Sequence, residues 1–209
     1  LPIVSALYPD ATAVWANNQA EVTAPGLKLC IKPEAKYIVA NGRYLYVPDG
    51  VKVDGAHILV PVRTLCQALG ATVTWDDATS TITIAAGSGP IASGDSFYNS
   101  TDLYWLSRII YAESGNQSLE GKIAVGNVVL NRVASSLFPN SVYDVIFQRN
   151  QFTPASSGSI NREPSEDAVI AAKLCLDGAN TADNALYFVN PKASPNSWAS
   201  RNCTYVATI

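Results

Sequence analysis

Glu113 lies in a largely apolar stretch, WLSRIIYAESGNQSLEGKIAVGNVVLNRV, that spans residues 105–133. Leu106, Ile109 and Ile110 precede it at helical spacing, so a helix through this stretch places the carboxyl group on its apolar face. Partial burial and the negative end of the helix dipole both disfavour the ionised form, which predicts a raised pKa. A carboxylic acid that is protonated near neutral pH can serve glycosidic bond cleavage. The alternative is an exposed residue at a frayed helix end.

Other kinds of catalytic site have little support in the sequence. The single histidine, His57, lies in the strand-like stretch VDGAHILVPV, where a solvent-facing or hydrogen-bonded side chain is the ordinary expectation. Serine–histidine and cysteine–histidine catalysis, or a histidine-ligated metal, would all depend on it. The motifs G-x-G-x-x-G, G-x-x-x-x-G-K-[ST] and S-x-x-K do not occur. Carboxylate chemistry without a metal or cofactor is therefore favoured.

A second carboxylate would be needed if water or a covalent intermediate took part in the cleavage. Glu120 is the one rival acid. It aligns with Asn127 and Asn131 in a polar stripe that either lines a cleft or faces solvent. Its place early in a helix favours the ionised form. The remaining candidates are Asp144, Asp167 and Asp183. None of them forms an evident pair with Glu113.

Aromatic and amide residues follow in the second half of the chain. Aromatic rings can stack on sugar faces, and amides can bind hydroxyl and acetamido groups. The motif NQFTP supplies Gln151, Phe152 and Thr153, and the segment LYFVNPKASPNSW supplies Tyr187, Phe188, Asn190 and Trp198. Each alone is ordinary core or turn material, and together they favour a carbohydrate-binding cleft.

The first part of the chain has the pattern of short strands. Residues 1–86 are rich in Val, Ile, Thr and Tyr and contain turn signals such as ANGRY and VPDG. In TVTWDDATSTITI, apolar residues alternate on both sides of a turn, which predicts a hairpin with one buried face. One helix is expected in PVRTLCQALG, with a proline near its start and Gly70 at its end.

The second part of the chain is predicted to be helical. Gly and Ser are concentrated in residues 87–100, which predicts a flexible linker. Helices are expected near residues 101–114, 118–134, 141–148 and 164–177. The segments ALYFVNP and CTYVATI favour short strands or extended chain. The predicted fold is thus α+β, with an N-terminal strand-rich βα module at 1–86 and a mainly helical domain at 101–209.

Composition excludes several kinds of partner. The net charge is −3 and there is no run of Lys or Arg, so a nucleic-acid partner is not expected. No stretch approaches the roughly 18 consecutive apolar residues that span a bilayer. The start, LPIVSALYPD, lacks the basic region of an export signal, so we expect that any such signal has been removed.

Four cysteines are distributed evenly between the two halves of the chain. They lack the C-x-x-C spacing of a metal site. Two per half suits one disulfide in each domain, Cys30–Cys66 and Cys175–Cys203. Such disulfides form in an oxidising, extracytoplasmic compartment, so a secreted or cell-wall-associated protein is expected. The alternative is four buried free thiols.

Three motifs in a fixed order carry a resemblance to a known family. IIYAESGNQSLEGKIAVGNVVLNRV is followed by VIFQRNQFTP and then by ALYFVNPKASPNSW. This order, over residues 101–209, resembles the cell-wall hydrolase family that includes spore cortex-lytic enzymes. The resemblance implies a lysozyme-like, mainly helical catalytic domain that acts on peptidoglycan glycan strands. It also implies that Glu113 is the catalytic acid and that the QFT and ALYFVNP positions line the cleft.

The family resemblance implies cleavage of the β-1,4 bond between N-acetylmuramic acid and N-acetylglucosamine. Because no second carboxylate is evident, a lytic transglycosylase with a 1,6-anhydro product is favoured over a hydrolytic muramidase. A non-catalytic glycan-binding wall module is a further alternative. The family pattern usually continues beyond the final Thr-Ile with Gly-Asn-His and an aromatic pair. The sequence stops at Ile209, so a strand at the cleft edge is expected to be incomplete.

A second resemblance covers residues 28–84. The segments YIVANGRYLYV, VPVRTLCQALG and VTWDDATSTITI resemble the copper amine oxidase N-terminal-like, or stalk, domain. The resemblance implies no copper here. It implies a non-catalytic βα module for attachment, spacing or glycan contact.

Overall fold

The computed structural model describes residues 2–189 and 198–204. The chain forms two compact units that meet in sequence between Phe97 and Tyr98. All strands assigned among the described residues precede this point, and the long helices follow it. This order confirms the predicted α+β architecture. Within the described ranges, every helix is too short or too polar to cross a membrane.

The strand-rich unit is built mainly from antiparallel strands. Its strands are β1 (Thr12–Ala16), β2 (Gln19–Ala24), β3 (Leu27–Ile31), β4 (Tyr37–Ala40), β5 (Arg43–Tyr46), β6 (Lys52–Asp54), β7 (His57–Leu59), β8 (Thr72–Asp76) and β9 (Thr81–Ala85). Its helices are α1 (Pro2–Leu7), α2 (Val62–Leu69) and α3 (Gly94–Phe97). Strands β1 to β5 form one sheet in chain order, and β6–β7 and β8–β9 form separate hairpins.

One face of the five-stranded sheet forms the core of this unit. Val22 lies opposite Leu29 across β2 and β3, and Ile38 lies opposite Leu45 across β4 and β5. All four side chains are buried. Because side chains alternate between the two faces of a strand, each buried pair marks the inner face of the sheet. Helix α2 contributes Leu69 to the same core.

The hairpin predicted in TVTWDDATSTITI is present, but its apolar face is only partly covered. Trp75 lies opposite Ile82, and Val73 lies opposite Ile84, as the alternation predicts. Trp75 is 49% exposed and Ile82 is 51% exposed, so the expectation of a buried face is wrong for this end of the hairpin. A two-stranded ribbon needs a further layer to cover one face, and α2 packs mainly against β8 of this pair.

Gly70 ends α2, as predicted, in the left-handed conformation with φ of +60°. A Cβ atom at this position would lie 1.6 Å from the carbonyl oxygen of Gly89. Only glycine therefore fits both the backbone conformation and this close approach.

The segment that its Gly and Ser content predicts as a flexible linker, residues 87–100, is largely held by the strand-rich unit. The Ile91 amide donates to the Ala68 carbonyl at 3.1 Å, and the Ile91 carbonyl accepts from Asn41 Nδ2 at 2.8 Å. The Gly94 amide donates to the Asn41 carbonyl at 2.8 Å. Ile91 also packs against the core. Composition alone could not reveal these long-range contacts, which order the segment.

Among its described residues, the helical unit contains the four helices that the sequence pattern predicts, together with three shorter ones. Its elements are α4 (Ser100–Ser114), α5 (Leu119–Ala134), α6 (Val142–Phe147), α7 (Thr153–Ser157), a 3-10 helix (Ser159–Asn161), α8 (Glu166–Leu176) and α9 (Trp198–Asn202). The Asn99, Ser118 and Ser165 side chains cap the N-termini of α4, α5 and α8. These three long helices pack against one another and bury Leu106, Ile123 and Leu174 among others.

The predicted disulfides Cys30–Cys66 and Cys175–Cys203 are not formed. All four cysteines lie in the described part of the chain and are free thiols. Cys175 is buried against α5, whereas Cys203 is exposed. Cys30 points away from the core, because its neighbour Leu29 points into it, whereas Cys66 is buried on the helix that covers the core. An even distribution in sequence does not supply the Cβ geometry that a disulfide requires.

The close approach of α5 and α8 depends on Gly126. A Cβ atom there would lie 2.6 Å from Cys175 Sγ and 2.9 Å from Ile110 Cδ1. The Cys175 thiol itself donates to the Ile123 carbonyl at 3.3 Å. The sulfur is therefore held against the α5 backbone and cannot easily withdraw.

We expect Gly126→Ala to destabilise the helical unit. Overpacking of a core costs about 1–3 kcal/mol, which exceeds the roughly 1 kcal/mol by which alanine favours a helix over glycine. Cys175→Ala removes the nearest atom, so the double variant should lose less stability than the sum of the two single variants. Urea unfolding followed by far-UV circular dichroism measures all four proteins. Strictly additive effects would contradict the proposed clash.

Candidate functional site

Helix α4 carries Glu113 in its last turn. Leu106, Ile109 and Ile110 on the same helix are fully buried, and Glu113 is partly buried, as the spacing predicts. Burial raises the pKa of the Glu113 carboxyl above its ordinary value. Within residues 2–189 and 198–204, Glu113 has no hydrogen-bond or ion-pair partner. The protonated form is thus favoured, and its proton is not committed to another described group.

The turn after Glu113 is held by neighbouring polar groups. The Ser114 hydroxyl donates to the Ile110 carbonyl at 2.5 Å, and the Gln117 amide donates to the Ser114 carbonyl at 2.9 Å. The buried Lys122 ammonium donates to the Gln117 carbonyl at 2.5 Å. These bonds connect the end of α4 to the first turns of α5, which limits the movement of the Glu113 backbone.

The other candidate carboxylates occupy different environments. Asp144 and Asp167 are exposed in the first turns of α6 and α8, and Asp183 is exposed in an irregular segment. Glu120 is partly buried in the first turn of α5. Burial is the cause of the raised pKa of Glu113, and no second charged group contributes to it. None of these carboxylates is therefore among the causes of the raised pKa of Glu113.

The polar stripe on α5 binds the chain that follows α8. Asn127 is buried, and its Nδ2 donates to the Ala179 carbonyl at 2.7 Å. Asn131 Nδ2 donates to the carbonyls of Asp183 and Ala185 at 3.0 and 2.9 Å. The predicted alternatives were a cleft lining or a solvent-facing surface. The structure instead uses both amides to fix an irregular backbone, so sequence periodicity identified the stripe but not its partner.

Several predicted glycan-binding side chains lie close together. The Phe152 ring is buried, with its centroid 6.4 Å from that of Phe188. The Tyr187 ring lies 5.3 Å from that of Trp198. Tyr187, Phe188 and Trp198 are all exposed. The structure thus places exposed aromatic faces beside a buried ring.

The remaining predicted residues of this set are polar. Gln151 and Thr153 flank Phe152 and are exposed, and Thr153 begins α7. Asn190 lies outside the described residues. The ALYFV part of the predicted ALYFVNP strand, residues 185–189, forms no strand.

Arg132 also lies among these aromatic residues, although no sequence motif singled it out. It is 5% exposed, and its guanidinium carbon lies 4.9, 5.1 and 5.3 Å from the ring centroids of Phe138, Phe152 and Tyr187. Its Nε donates to the Leu186 carbonyl at 2.8 Å. The sequence contained one signal for it, because Arg132 lies at the end of the apolar run AVGNVVLNRV. An arginine in a buried helix requires partners, and such partners often belong to a functional site.

Residues suited to a metal are dispersed. No three His, Cys, Asp or Glu side chains in the described ranges are grouped so that they could hold an ion. His57 is exposed in β7 and lies opposite Asp54 in its hairpin. Glu113 is suited to proton transfer by one carboxyl group, and the aromatic-lined surface belongs to the same unit.

Comparison with family models identifies both units. Residues 116–209 match the Cell Wall Hydrolase family, in a match that begins at Asn116, shortly after Glu113. The helical unit belongs to the cell wall hydrolase family. Residues 3–89, in the strand-rich unit, match the copper amine oxidase N-terminal domain. Both resemblances inferred from the sequence motifs are confirmed.

Relatives of the cell wall hydrolase unit are proteins named spore cortex-lytic enzyme. The chain is 34% identical to that of Oceanobacillus iheyensis over 112 residues, covering 54% of this chain and 41% of the relative. It is 36% identical to that of Bacillus subtilis over 101 residues, covering 48% and 33%. The chain therefore spans well under half the length of these relatives.

A solved structure is also similar. The catalytic domain of the Bacillus cereus SleB protein is 34% identical, with a TM-score of 0.50. The similarity covers 54% of this chain and 87% of that domain. The likeness supports a common fold for the cell wall hydrolase unit and that domain.

We expect Glu113→Gln to stabilise the protein at neutral pH and to leave its stability unchanged near pH 3. The raised pKa means that the folded state binds more protons than the unfolded state above the ordinary pKa of glutamate. The free energy of unfolding therefore falls as pH rises from the ordinary pKa of glutamate through the higher pKa of folded Glu113. The glutamine amide does not titrate, so the variant does not lose this stability. Urea unfolding of both proteins across this pH range tests the sign, and a difference independent of pH would contradict it.

Proposed function

We propose that the cell wall hydrolase unit is a lytic transglycosylase that acts on peptidoglycan glycan strands, outside the cytoplasm. The bond cleaved is the β-1,4 linkage between N-acetylmuramic acid and N-acetylglucosamine. The observation that carries the proposal is Glu113, a partly buried carboxyl with a raised pKa and no polar partner among the described residues. Such a group can donate a proton at neutral pH. The similarity to spore cortex-lytic enzymes supports this substrate class.

The reaction uses Glu113 twice. In its protonated form it donates its proton to the bridging oxygen while the bond to the muramic C1 breaks and that carbon gains oxocarbenium character. The Glu113 carboxylate then accepts the proton of the muramic 6-hydroxyl, whose oxygen attacks C1. The 1,6-anhydro ring closes, and Glu113 is protonated again. Neither water nor a second carboxylate is consumed.

The choice of this mechanism over a hydrolytic muramidase follows from the carboxylates. Hydrolysis needs a second carboxylate within roughly 5 to 10 Å, as nucleophile or as base for water. Burial accounts for the raised pKa of Glu113, so its electrostatics give no support for such a partner. Intramolecular attack by the 6-hydroxyl requires no such group, because the nucleophile is already held near C1.

The aromatic surface provides the means to bind the glycan. Tyr187, Phe188 and Trp198 present exposed rings on which sugar faces can stack, and Gln151 and Thr153 offer polar groups beside them. Asn190 is assigned to the same set from sequence. The strand-rich unit is assigned a non-catalytic role in attachment, spacing or glycan contact.

We expect Glu113→Gln to lower turnover of purified peptidoglycan by about 10²–10⁴-fold, because the amide has no acidic proton to give the leaving oxygen. Glu120→Gln is the matched control, since Glu120 is also a partly buried helical glutamate of this unit, and it should retain activity. Release of soluble muropeptides measures both. Activity lost in Glu120→Gln and kept in Glu113→Gln would reassign the acid. A wild-type protein that binds sacculi without turnover would be a non-catalytic wall module.

The product distinguishes the two enzymatic mechanisms. If Glu113 acts alone, the released muropeptides should end in 1,6-anhydro-muramic acid, lack a reducing end and weigh one water less than hydrolysed fragments. Mass spectrometry before and after borohydride reduction should then show no change. Fragments that are reduced by borohydride and carry oxygen from labelled water would establish a hydrolytic muramidase instead.

A further inference from the structure

Residues 179–188, here called the wall segment, form no helix or strand and carry Tyr187 and Phe188 at their end. Their course is set by side chains of α5 that bind their backbone. Asn127 holds the carbonyl of Ala179, and Asn131 holds those of Asp183 and Ala185. Arg132 Nε completes the series by donating to the Leu186 carbonyl at 2.8 Å. The last of these bonds lies directly before the proposed glycan-binding rings.

Arg132 also contacts the rings themselves. Its guanidinium lies within 5.3 Å of the centroids of Phe138, Phe152 and Tyr187, at distances suited to cation–π attraction. Phe152 comes from the QFT motif and Tyr187 from the wall segment. One buried cation therefore joins the two parts of the chain that the sequence assigns to glycan binding.

The guanidinium itself is out of reach of a ligand. Arg132 is 5% exposed, and its Nη1 is fully buried without a hydrogen-bond partner in the described part of the chain. A buried polar atom that forgoes a hydrogen bond is destabilising, so the contacts made by the rest of the side chain must offset this cost. Arg132 is thus placed to act through the rings and not on the substrate.

We infer that Arg132 is a positioning residue that holds Tyr187 and Phe152 in the orientation that binds the glycan strand. This inference rests on the proposed function of the unit. Tyr187 packs against Trp198 at 5.3 Å, and Phe152 packs against Phe188 at 6.4 Å, so each ring held by Arg132 supports an exposed ring beside it. Loss of the guanidinium should loosen the binding surface while leaving Glu113 and its turn unchanged.

The test compares Arg132→Met with Arg108→Met. Methionine keeps much of the apolar stem and removes the charge and the donors. Arg108 is a matched control because it is 9% exposed on α4, stacks on Tyr104 and pairs with Glu163, outside the wall segment. A third variant, Arg132→Lys, retains the charge and should restore part of the effect.

Hydrogen exchange of peptides spanning residues 182–189 measures how readily the backbone of the wall segment opens. The Ala185 amide, which donates to the Ala182 carbonyl at 2.9 Å, should exchange at least about tenfold faster in Arg132→Met and at the wild-type rate in Arg108→Met. On soluble glycan fragments, Arg132→Met should raise KM about tenfold and change kcat less than threefold, because binding and not proton transfer is affected. Arg132→Lys should lie between Arg132→Met and the wild type in both measurements.

The outcome separates this inference from the proposed function. Sedimentation with insoluble peptidoglycan measures binding without turnover, so weaker binding of Arg132→Met supports the inference even if the wild-type protein cleaves nothing. Equal exchange in the two methionine variants overturns it, as does unchanged glycan binding despite faster exchange. A loss of kcat with unchanged KM would also overturn it, because the side chain would then act on the chemistry.

Discussion

Buried hydrogen-bond donors on α5 require acceptors, and the arrangement of the helical unit depends on how that requirement is met. Neighbouring helices enclose much of α5, so the Asn127 amide and the Arg132 guanidinium have little access to water. Their acceptors are carbonyls of the chain that follows α8. An irregular segment normally varies in its course. Here it is tied down at intervals by bonds that would be costly to leave unmade.

Glu113 illustrates the opposite treatment of a polar group. The Asn127 amide is buried and bonded, whereas the Glu113 carboxyl is partly buried and has no partner among the described residues. A protein selected only for stability would pair or expose such a group. A partly buried carboxyl without a partner is destabilising, and such groups are enriched at functional sites, which accords with the proposed role of Glu113. The turn that follows Glu113 is held by hydrogen bonds, so the unfavourable burial affects only the Glu113 side chain.

Local signals predicted much of the fold, and long-range contacts account for what they missed. The helices near 101–114 and 118–134 were predictable because apolar spacing and capping residues act within a few positions. The surroundings of Arg132 were not, because Leu186 is 54 positions away in the chain. The same distinction holds for the candidate site. The partial burial of Glu113 could be predicted from its own helix, whereas the grouping of Phe152 with Phe188 required the tertiary fold.

The free thiol of Cys175 is protected by the packing around it. Burial raises the pKa of this thiol, so the reactive thiolate is scarce, and the sulfur is enclosed between α5 and α8. Neither unit has a covalent cross-link among its described cysteines. Packing of the described helical core therefore relies on side-chain contacts and not on a cross-link. An oxidant would reach the exposed thiol of Cys203 before the buried thiol of Cys175.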